Sequence, residues 1–337
     1  MLAAVLHAAG GPDAFRLEDA PVPNVGADDV LVRVKACGVS YRDVVERNGT
    51  YKRDVTFPLI IGLEIAGVVE RVGDLVTALK PGDRVCSKAF SSCGDCRYCR
   101  TGRETTCLRR KPVRGGYAEY VALPQDAFVT IPETLSFEAA CSLGPGAGVA
   151  LNAVRDTANV QIGETVLVTG ATGGVGLPSV QIAKIAGARV IAVTRSAEKA
   201  DMLRRAGADD VIVSSGDFSG EVRAITNGEG ADVVIDTIGS RVFDAAFNSL
   251  ALHGRYAFVG QLFGENIAIN PARIFFKRAQ LLGVGSVSRA QLMDVVALAA
   301  AGKIKPEIAK VMPLREIAEA HRLVEGAAVH GRVVVVP

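Results

Sequence analysis

Along the first 135 residues apolar positions come in short runs, such as "DDVLVRVKACGV" and "GYAEYVALP", broken by Gly, Pro and Asp. That rhythm predicts a β-rich, barrel-like domain with few regular helices. A helical stretch over roughly 137–156 is predicted next, with Ser136 as its cap and Glu138 in its first turn. From residue 164 the pattern changes. "TVLVTG", "RVIAVTR", "DVIV", "ADVVIDTIG", "RYAFVG" and "QLLGVGS" are short β-branched runs, several separated by helical segments such as "GLPSVQIAKIAGA" and "SAEKADMLRRAGA". Strands that are apolar on both faces and alternate with helices predict a doubly wound parallel sheet. Two further helices and a last strand, "RVVVV", return to the first domain. The expected organisation is an α/β chain in which a doubly wound parallel-sheet domain, 147–286, is inserted into a β-rich, barrel-like domain formed by 1–146 and 287–337. No internal repeat and no low-complexity linker interrupts it.

The segment "TVLVTGATGGVGLPSVQIAKIAGA" sets a strand, a glycine turn and a helix in the order a dinucleotide requires. Gly170, Gly173, Gly174 and Gly176, with Val175 between them, permit a tight turn and close backbone approach to a pyrophosphate at the helix N-terminus. Ile238, at the end of a later strand, is a further expected contact. The next strand ends in Thr194, Arg195 and Ser196, with Lys199 close behind and no carboxylate at 194–196. A guanidinium, two hydroxyls and an ammonium suit a ribose 2′-phosphate and predict NADP(H). The competing reading leaves Arg195 merely exposed and uses Ser196 only as a helix cap.

The 337 residues are about half apolar and carry a net charge of +2, so no global field points to nucleic acid or membrane. No apolar run approaches the roughly 18 residues that span a bilayer, and a cytoplasmic location is expected. Seven cysteines then need a role other than disulfides. "CGDCRYCRTGRETTC" places Cys93, Cys96, Cys99 and Cys107 at a spacing that can converge on one tetrahedral zinc. Four sulfurs would fill that shell, making the ion structural; an iron–sulfur cluster is the alternative. Cys37, Cys86 and Cys141 read as small core residues. A basic cluster from Arg97 to Arg114 reads as solvated surface or as a local anion patch.

The cysteine lobe, the inserted sheet and the "VTGATGGVG" turn together make the chain resemble the medium-chain dehydrogenase/reductase family, which includes zinc alcohol dehydrogenases and quinone oxidoreductases. In the zinc branch a catalytic metal is held through Gly-Val-Cys-x-x-Asp, through Gly-His-Glu, and by a residue near the helix into the cofactor domain. Here "GVSYRD" puts Ser40 at the cysteine, "GLE" puts Leu63 at the histidine, and the third position falls on Gly144 or Pro145. Leucine cannot coordinate zinc and serine is a poor substitute for a thiolate. None of the four histidines lies near this motif in sequence. The resemblance therefore implies a Rossmann domain inserted into a GroES-like domain, and hydride transfer without catalytic zinc between the nicotinamide and a quinone, an enone or an activated ketone/alcohol pair whose oxidised form spreads its own charge. Ser40, Tyr41, Arg42 and Tyr51 are the candidate donors to the substrate oxygen. Glu64, left in an apolar run, needs a partner; the resemblance nominates Arg332, which family members place near the pyrophosphate, and the alternative is a protonated or water-bridged carboxylate of structural use only. A small-molecule carbonyl substrate and a homodimer or homotetramer paired through "QLLGVGS" are expected. The competing functions are a zinc alcohol dehydrogenase with unfamiliar ligands and an NADPH-binding scaffold or sensor without turnover.

Overall fold

The computed structural model describes residues 1–50, 55–327 and 329–337, and Tyr51 lies outside them. It forms two compact units, one of residues 1–145 and 287–337, the other of residues 146–286.

In the first unit the backbone of the fold is the long strand Asp29–Val39. Its middle alternates Val32, Arg33, Val34 and Lys35, buried and exposed in turn, as a half-buried strand should. The strands Arg332–Val336, Glu64–Val72 and Tyr120–Pro124 all pair with it antiparallel. Ile308–Pro313 extends the sheet beyond Arg332–Val336, and Arg84–Ser87 with Phe128–Thr130 extend it beyond Glu64–Val72. The core between these strands is aliphatic, built from Val32, Ile61, Leu63, Ile65, Phe128 and Val333 among others. Leu63 is only 2% exposed and belongs wholly to this core.

A helix, Tyr41–Arg47, interrupts the β pattern in this unit. Ser40 and Asp43 form a reciprocal capping box that satisfies the first backbone N–H groups. That signal stands in the sequence "SYRD" and overrides the strand-like surroundings.

The second unit is a six-stranded, wholly parallel sheet. Its order is Asp210–Val213, Arg189–Thr194, Thr165–Thr169, Ala231–Asp236, Leu250–Phe258 and Gln280–Gly283. The chain thus starts in the middle, winds out to one edge, and returns to wind out to the other, which is the doubly wound topology. Gln280–Gly283, from "QLLGVGS", forms one outer edge.

The stretch expected to be one helix over 137–156 is more irregular. Ser136 does cap it, accepting from Ala139 N–H. After Phe137–Cys141 the turns widen to π geometry over Leu143–Gly148 and again over Asn152–Thr157. Pro145 supplies the reason for the first widening: it has no N–H to give and its ring would strike a carbonyl one α-turn back.

Candidate functional site

Three chemistry-bearing clusters emerge, one in the second unit and two in the first. The first lies at the carboxyl end of Thr165–Thr169. Gly170 has a left-handed φ of 57°, and a Cβ there would overlap Thr237 and Ile238. A Cβ on Gly176 would overlap the Gly170 carbonyl oxygen. The helix Gly176–Ile185 can therefore start hard against the strand end. Gly173 and Gly174 are exposed at the mouth of the turn. Close packing on Gly170 brings Ile238 to the same place. Its loop is fixed by Asp236, a residue the sequence reading passed over. The buried Asp236 carboxylate accepts from the hydroxyls of Thr169 (2.6 Å) and Tyr256 (2.8 Å) and from the Ile238 N–H (3.0 Å).

At the end of the neighbouring strand Thr194 is buried and its hydroxyl accepts from Ser196 N–H at 3.2 Å. Ser196 makes no side-chain capping bond to the turn Ala197–Lys199, so its hydroxyl is not spent on the helix. Burial, with the nearby Arg195 charge second, lowers the Lys199 pKa. Two cations held in each other's field favour an anion between them.

The second cluster is the lobe. The thiol sulfurs of Cys93, Cys96, Cys99 and Cys107 all lie within 4.8 Å of one another. The close pairs measure 3.4 Å (Cys93–Cys107), 3.5 Å (Cys96–Cys99), 3.9 Å (Cys93–Cys99) and 4.0 Å (Cys96–Cys107). Zinc–sulfur bonds of about 2.3 Å in a tetrahedron place sulfurs about 3.8 Å apart, so these residues fit that ion. The backbone N–H groups of Cys93 and Arg109 both donate to Cys107 Sγ at 3.4 Å, which favours thiolate there. N–H donors around Cys96 hold its pKa down to about 6. The lobe is tied to the sheet by Lys88, whose side chain is 2% exposed. Its ammonium meets Glu104 at 3.2 Å and Asp126 at 2.9 Å.

The third cluster surrounds Glu64. Register pairs Glu64 with Gly38, and a Cβ on Gly38 would overlap Glu64 Oε2. Ser87 straps the strand on either side, donating to Leu63 O at 2.8 Å and accepting from Ile65 N–H at 2.9 Å. Arg332 supplies the partner: its guanidinium donates to Glu64 Oε1, while Oε2 has no hydrogen-bond partner among the described residues. Burial outweighs Arg332 and, with the nearby Asp43 charge, raises the Glu64 pKa to about 7. Asp43 is likewise raised to about 6 by burial, against hydrogen bonds from Ser40.

Ser40 donates its one hydroxyl proton to Asp43 Oδ2 at 2.6 Å and accepts from Asp43 N–H at 3.3 Å. That proton is thereby committed inside the protein. Tyr41 and Arg42, half-buried, open the same helix. Cys37 and Cys141 lie close enough to Glu64 to feel its charge, but burial pushes both thiols far up, so they stay protonated. A Cβ on Gly144 would overlap the Ser87 carbonyl oxygen, which leaves no room for a side chain there. A committed hydroxyl, a core leucine, a glycine without space and a carboxylate already paired with arginine do not make a zinc site. Among the described residues, the lobe cysteines form the only cluster suited to a metal.

Sequence reading also missed a buried polar chain in this unit. His321 Nε2 lies 3.3 Å from the Tyr117 hydroxyl, and Nδ1 lies 3.2 Å from Arg47. Burial, and Arg47 after it, depress the His321 pKa to about 3, so the ring is neutral. Arg47 reaches on to Gly10 O and Glu325, each at 3.0 Å.

A β-rich domain carrying a cysteine lobe and interrupted by a doubly wound parallel sheet is the architecture of a two-domain dehydrogenase. A family model described as alcohol dehydrogenase GroES-like domain matches residues 26–133, and one described as zinc-binding dehydrogenase matches residues 174–301. The chain is 34% identical over 333 residues to the acryloyl-coenzyme A reductase of Sulfurisphaera tokodaii, covering 97% of this chain and 98% of that one. It is 32% identical over 320 residues to the quinone oxidoreductase of Rattus norvegicus, covering 93% and 90% respectively. The crystal structure of an NAD-dependent alcohol dehydrogenase superposes with a TM-score of 0.94 at 35% identity over all of both chains. The chain belongs to the medium-chain dehydrogenase/reductase family, whose members matched here are oxidoreductases.

Proposed function

We propose that the protein is an NADP(H)-dependent oxidoreductase that moves hydride to or from an activated carbonyl compound with no metal ion on the reacting oxygen. The acceptor class comprises quinones, enones, including enoyl thioesters, and activated ketones; in the reverse direction the corresponding alcohol gives up the hydride. The observation that carries this reading is the chemistry around Glu64, where Arg332 stands instead of a metal shell. Reduction of a plain ketone builds charge on one oxygen, which a Lewis-acidic ion stabilises by several kcal/mol. A conjugated acceptor spreads that charge itself, so hydrogen-bond donors suffice.

A bound nicotinamide would supply the hydride. Gly170, Gly173, Gly174, Val175 and Gly176 would receive its pyrophosphate, Ile238 would pack beside it, and Arg332 would add a positive charge. Thr194, Arg195, Ser196 and Lys199 would hold the 2′-phosphate. With the Ser40 proton committed to Asp43, Ser40 acts by fixing the helix that presents Tyr41 and Arg42. Those two, with Tyr51, are the donors left for the substrate oxygen. The lobe cysteines would hold one structural zinc, and such a reduced thiolate set fits a cytoplasmic protein. The exposed edge Gln280–Gly283 would pair with a second copy in a homodimer or homotetramer.

The test is to follow NADPH and NADH oxidation against a panel of quinones, enones, enoyl thioesters and simple ketones. Turnover restricted to conjugated or activated acceptors, with NADPH preferred, is expected. Turnover of simple alcohols and ketones dependent on a second metal ion would refute the proposal, as would NADPH binding with no turnover of any acceptor.

A further inference from the structure

The buried chain from Arg47 to Tyr117 ends on a carboxylate of the candidate site. Arg47 has donors only, so the His321 nitrogen it meets, Nδ1, accepts. The neutral ring therefore carries its proton on Nε2 and donates it to the Tyr117 hydroxyl oxygen at 3.3 Å. That sets the direction of the phenol, whose own proton has to point at a different acceptor. Tyr117 is close enough to Asp43 for the carboxylate to act on the phenol by its charge and as a hydrogen-bond acceptor. Asp43 Oδ1 is buried with no hydrogen-bond partner of normal length among the described residues, so it is the acceptor left for that proton.

The other oxygen, Oδ2, faces Ser40 and accepts from its N–H at 2.8 Å and from its hydroxyl at 2.6 Å. Asp43 is wholly buried while Ser40 keeps 6% of its surface exposed, so of the two only Ser40 can meet a substrate. Its proton is committed only while Asp43 is ionised. A proton added to Oδ1 would collide with the one on Tyr117. Added to Oδ2, it donates to Ser40 Oγ along the same line, Oδ2 still accepts from the Ser40 N–H, and the Ser40 proton is set free. Burial brings this uptake up to about pH 6. On its own helix Arg42 opposes uptake, and Glu46, itself paired with Arg114, favours it. From the neighbouring strand Glu64 repels the Asp43 charge. Tyr117 and Cys37 stay neutral, their own pKa values pushed far up by burial.

We propose that Tyr117, oriented by His321 and Arg47, is a positioning residue that directs protonation of Asp43 to Oδ2, and that Ser40, released in this way, delivers its proton to the substrate oxygen. Hydride adds to carbon, the π electron pair moves to oxygen, and that oxygen takes the Ser40 proton. Ser40 takes the proton from Asp43 Oδ2 in its turn, leaving a carboxylate that solvent reprotonates after the product departs. This rests on the reading that the chain reduces an activated carbonyl, and it supplies the proton that such a reduction consumes.

The experiment follows kcat/KM against pH with NADPH and the best acceptor of the panel above, in the wild type, Ser40→Ala and Tyr117→Phe. The wild type should gain about 100-fold as pH falls from about 8 to about 5, with its midpoint near the Asp43 value of about 6. Both variants should give profiles flat across that midpoint, although Tyr117 is fully buried and touches no substrate. A Tyr117→Phe profile that keeps the wild-type rise would overturn the proposal. Glu64→Gln should keep the rise, and its loss there would assign the titration to Glu64 and overturn it too. Neutron diffraction from wild-type crystals in deuterated buffer at about pH 5, a unit below that midpoint, decides the point without turnover or variants. Deuterium on Asp43 Oδ2 directed at Ser40 Oγ upholds the proposal, and deuterium on Oδ1, or on neither oxygen, removes it. If no acceptor is reduced, the proposed reaction fails, and the deuterium position still decides where Asp43 takes its proton.

Discussion

Replacing Glu64 with Gln tests the buried carboxylate through the pH dependence of stability. Burial raises its pKa from 4.5 to about 7 in the folded protein. The folded state therefore holds a proton between those values that the unfolded chain has released. Because the folded state binds more protons there, stability falls as pH climbs from 4.5 to about 7 and stays reduced above it. A shift of this size corresponds to about 3 kcal/mol. Glutamine does not titrate. Its amide leaves Arg332 without a carboxylate, but arginine stays charged throughout, so that cost is the same at every pH. The difference in unfolding free energy between variant and wild type should therefore move by about 3 kcal/mol in the variant's favour between pH 4.5 and 8. Repulsion from Asp43 is already part of this shift and adds nothing further to it. Urea unfolding at intervals across this range, followed by circular dichroism, gives the difference directly. A difference that stays constant with pH would refute the argument and leave Glu64 ionised and fully compensated by Arg332.

Arg195→Ala should raise KM for NADPH about 10- to 100-fold, the loss of one or two charge-assisted bonds, while KM for NADH stays put; equal effects on both would remove the 2′-phosphate assignment. Gly176→Ala forces a Cβ onto the Gly170 carbonyl oxygen. It should cost about 1–3 kcal/mol and weaken both nucleotides together, as read by thermal shift with and without each nucleotide. Lys88→Met leaves Glu104 and Asp126 without their shared cation. A loss of about 3–5 kcal/mol is expected in urea unfolding, together with faster zinc release to a chelator, because Glu104 anchors the lobe.

Much of the fold stood in local patterns. The β-branched runs and glycine turn fix the parallel sheet because a strand buried on both faces admits little else. The spacing of the four lobe cysteines was readable for a similar reason, since ligands that converge within 15 residues need no distant contact. Arg332 beside Glu64 was reachable only through the family resemblance, since 268 residues separate the pair. The chain from Tyr117 through His321 to Arg47 had no signal at all. His321 sits in a helix of ordinary amphipathic pattern, and its burial is decided by how that helix docks. Lys88 reads in "CSKAF" as an exposed lysine, and only the positions of Glu104 and Asp126 make it a core residue. The helix from 137 onward followed its apolar period, yet Pro145 widened it because backbone sterics outrank side-chain pattern.

The central claim is that the one metal this chain binds is caged by sulfur and that none touches the reacting oxygen. Elemental analysis of the purified protein, paired with a Cys93→Ser, Cys96→Ser double variant, tests it most directly. One zinc per chain, lost in the variant, is the predicted result. Two zinc ions per chain, with one retained by the variant and required for turnover, would contradict it.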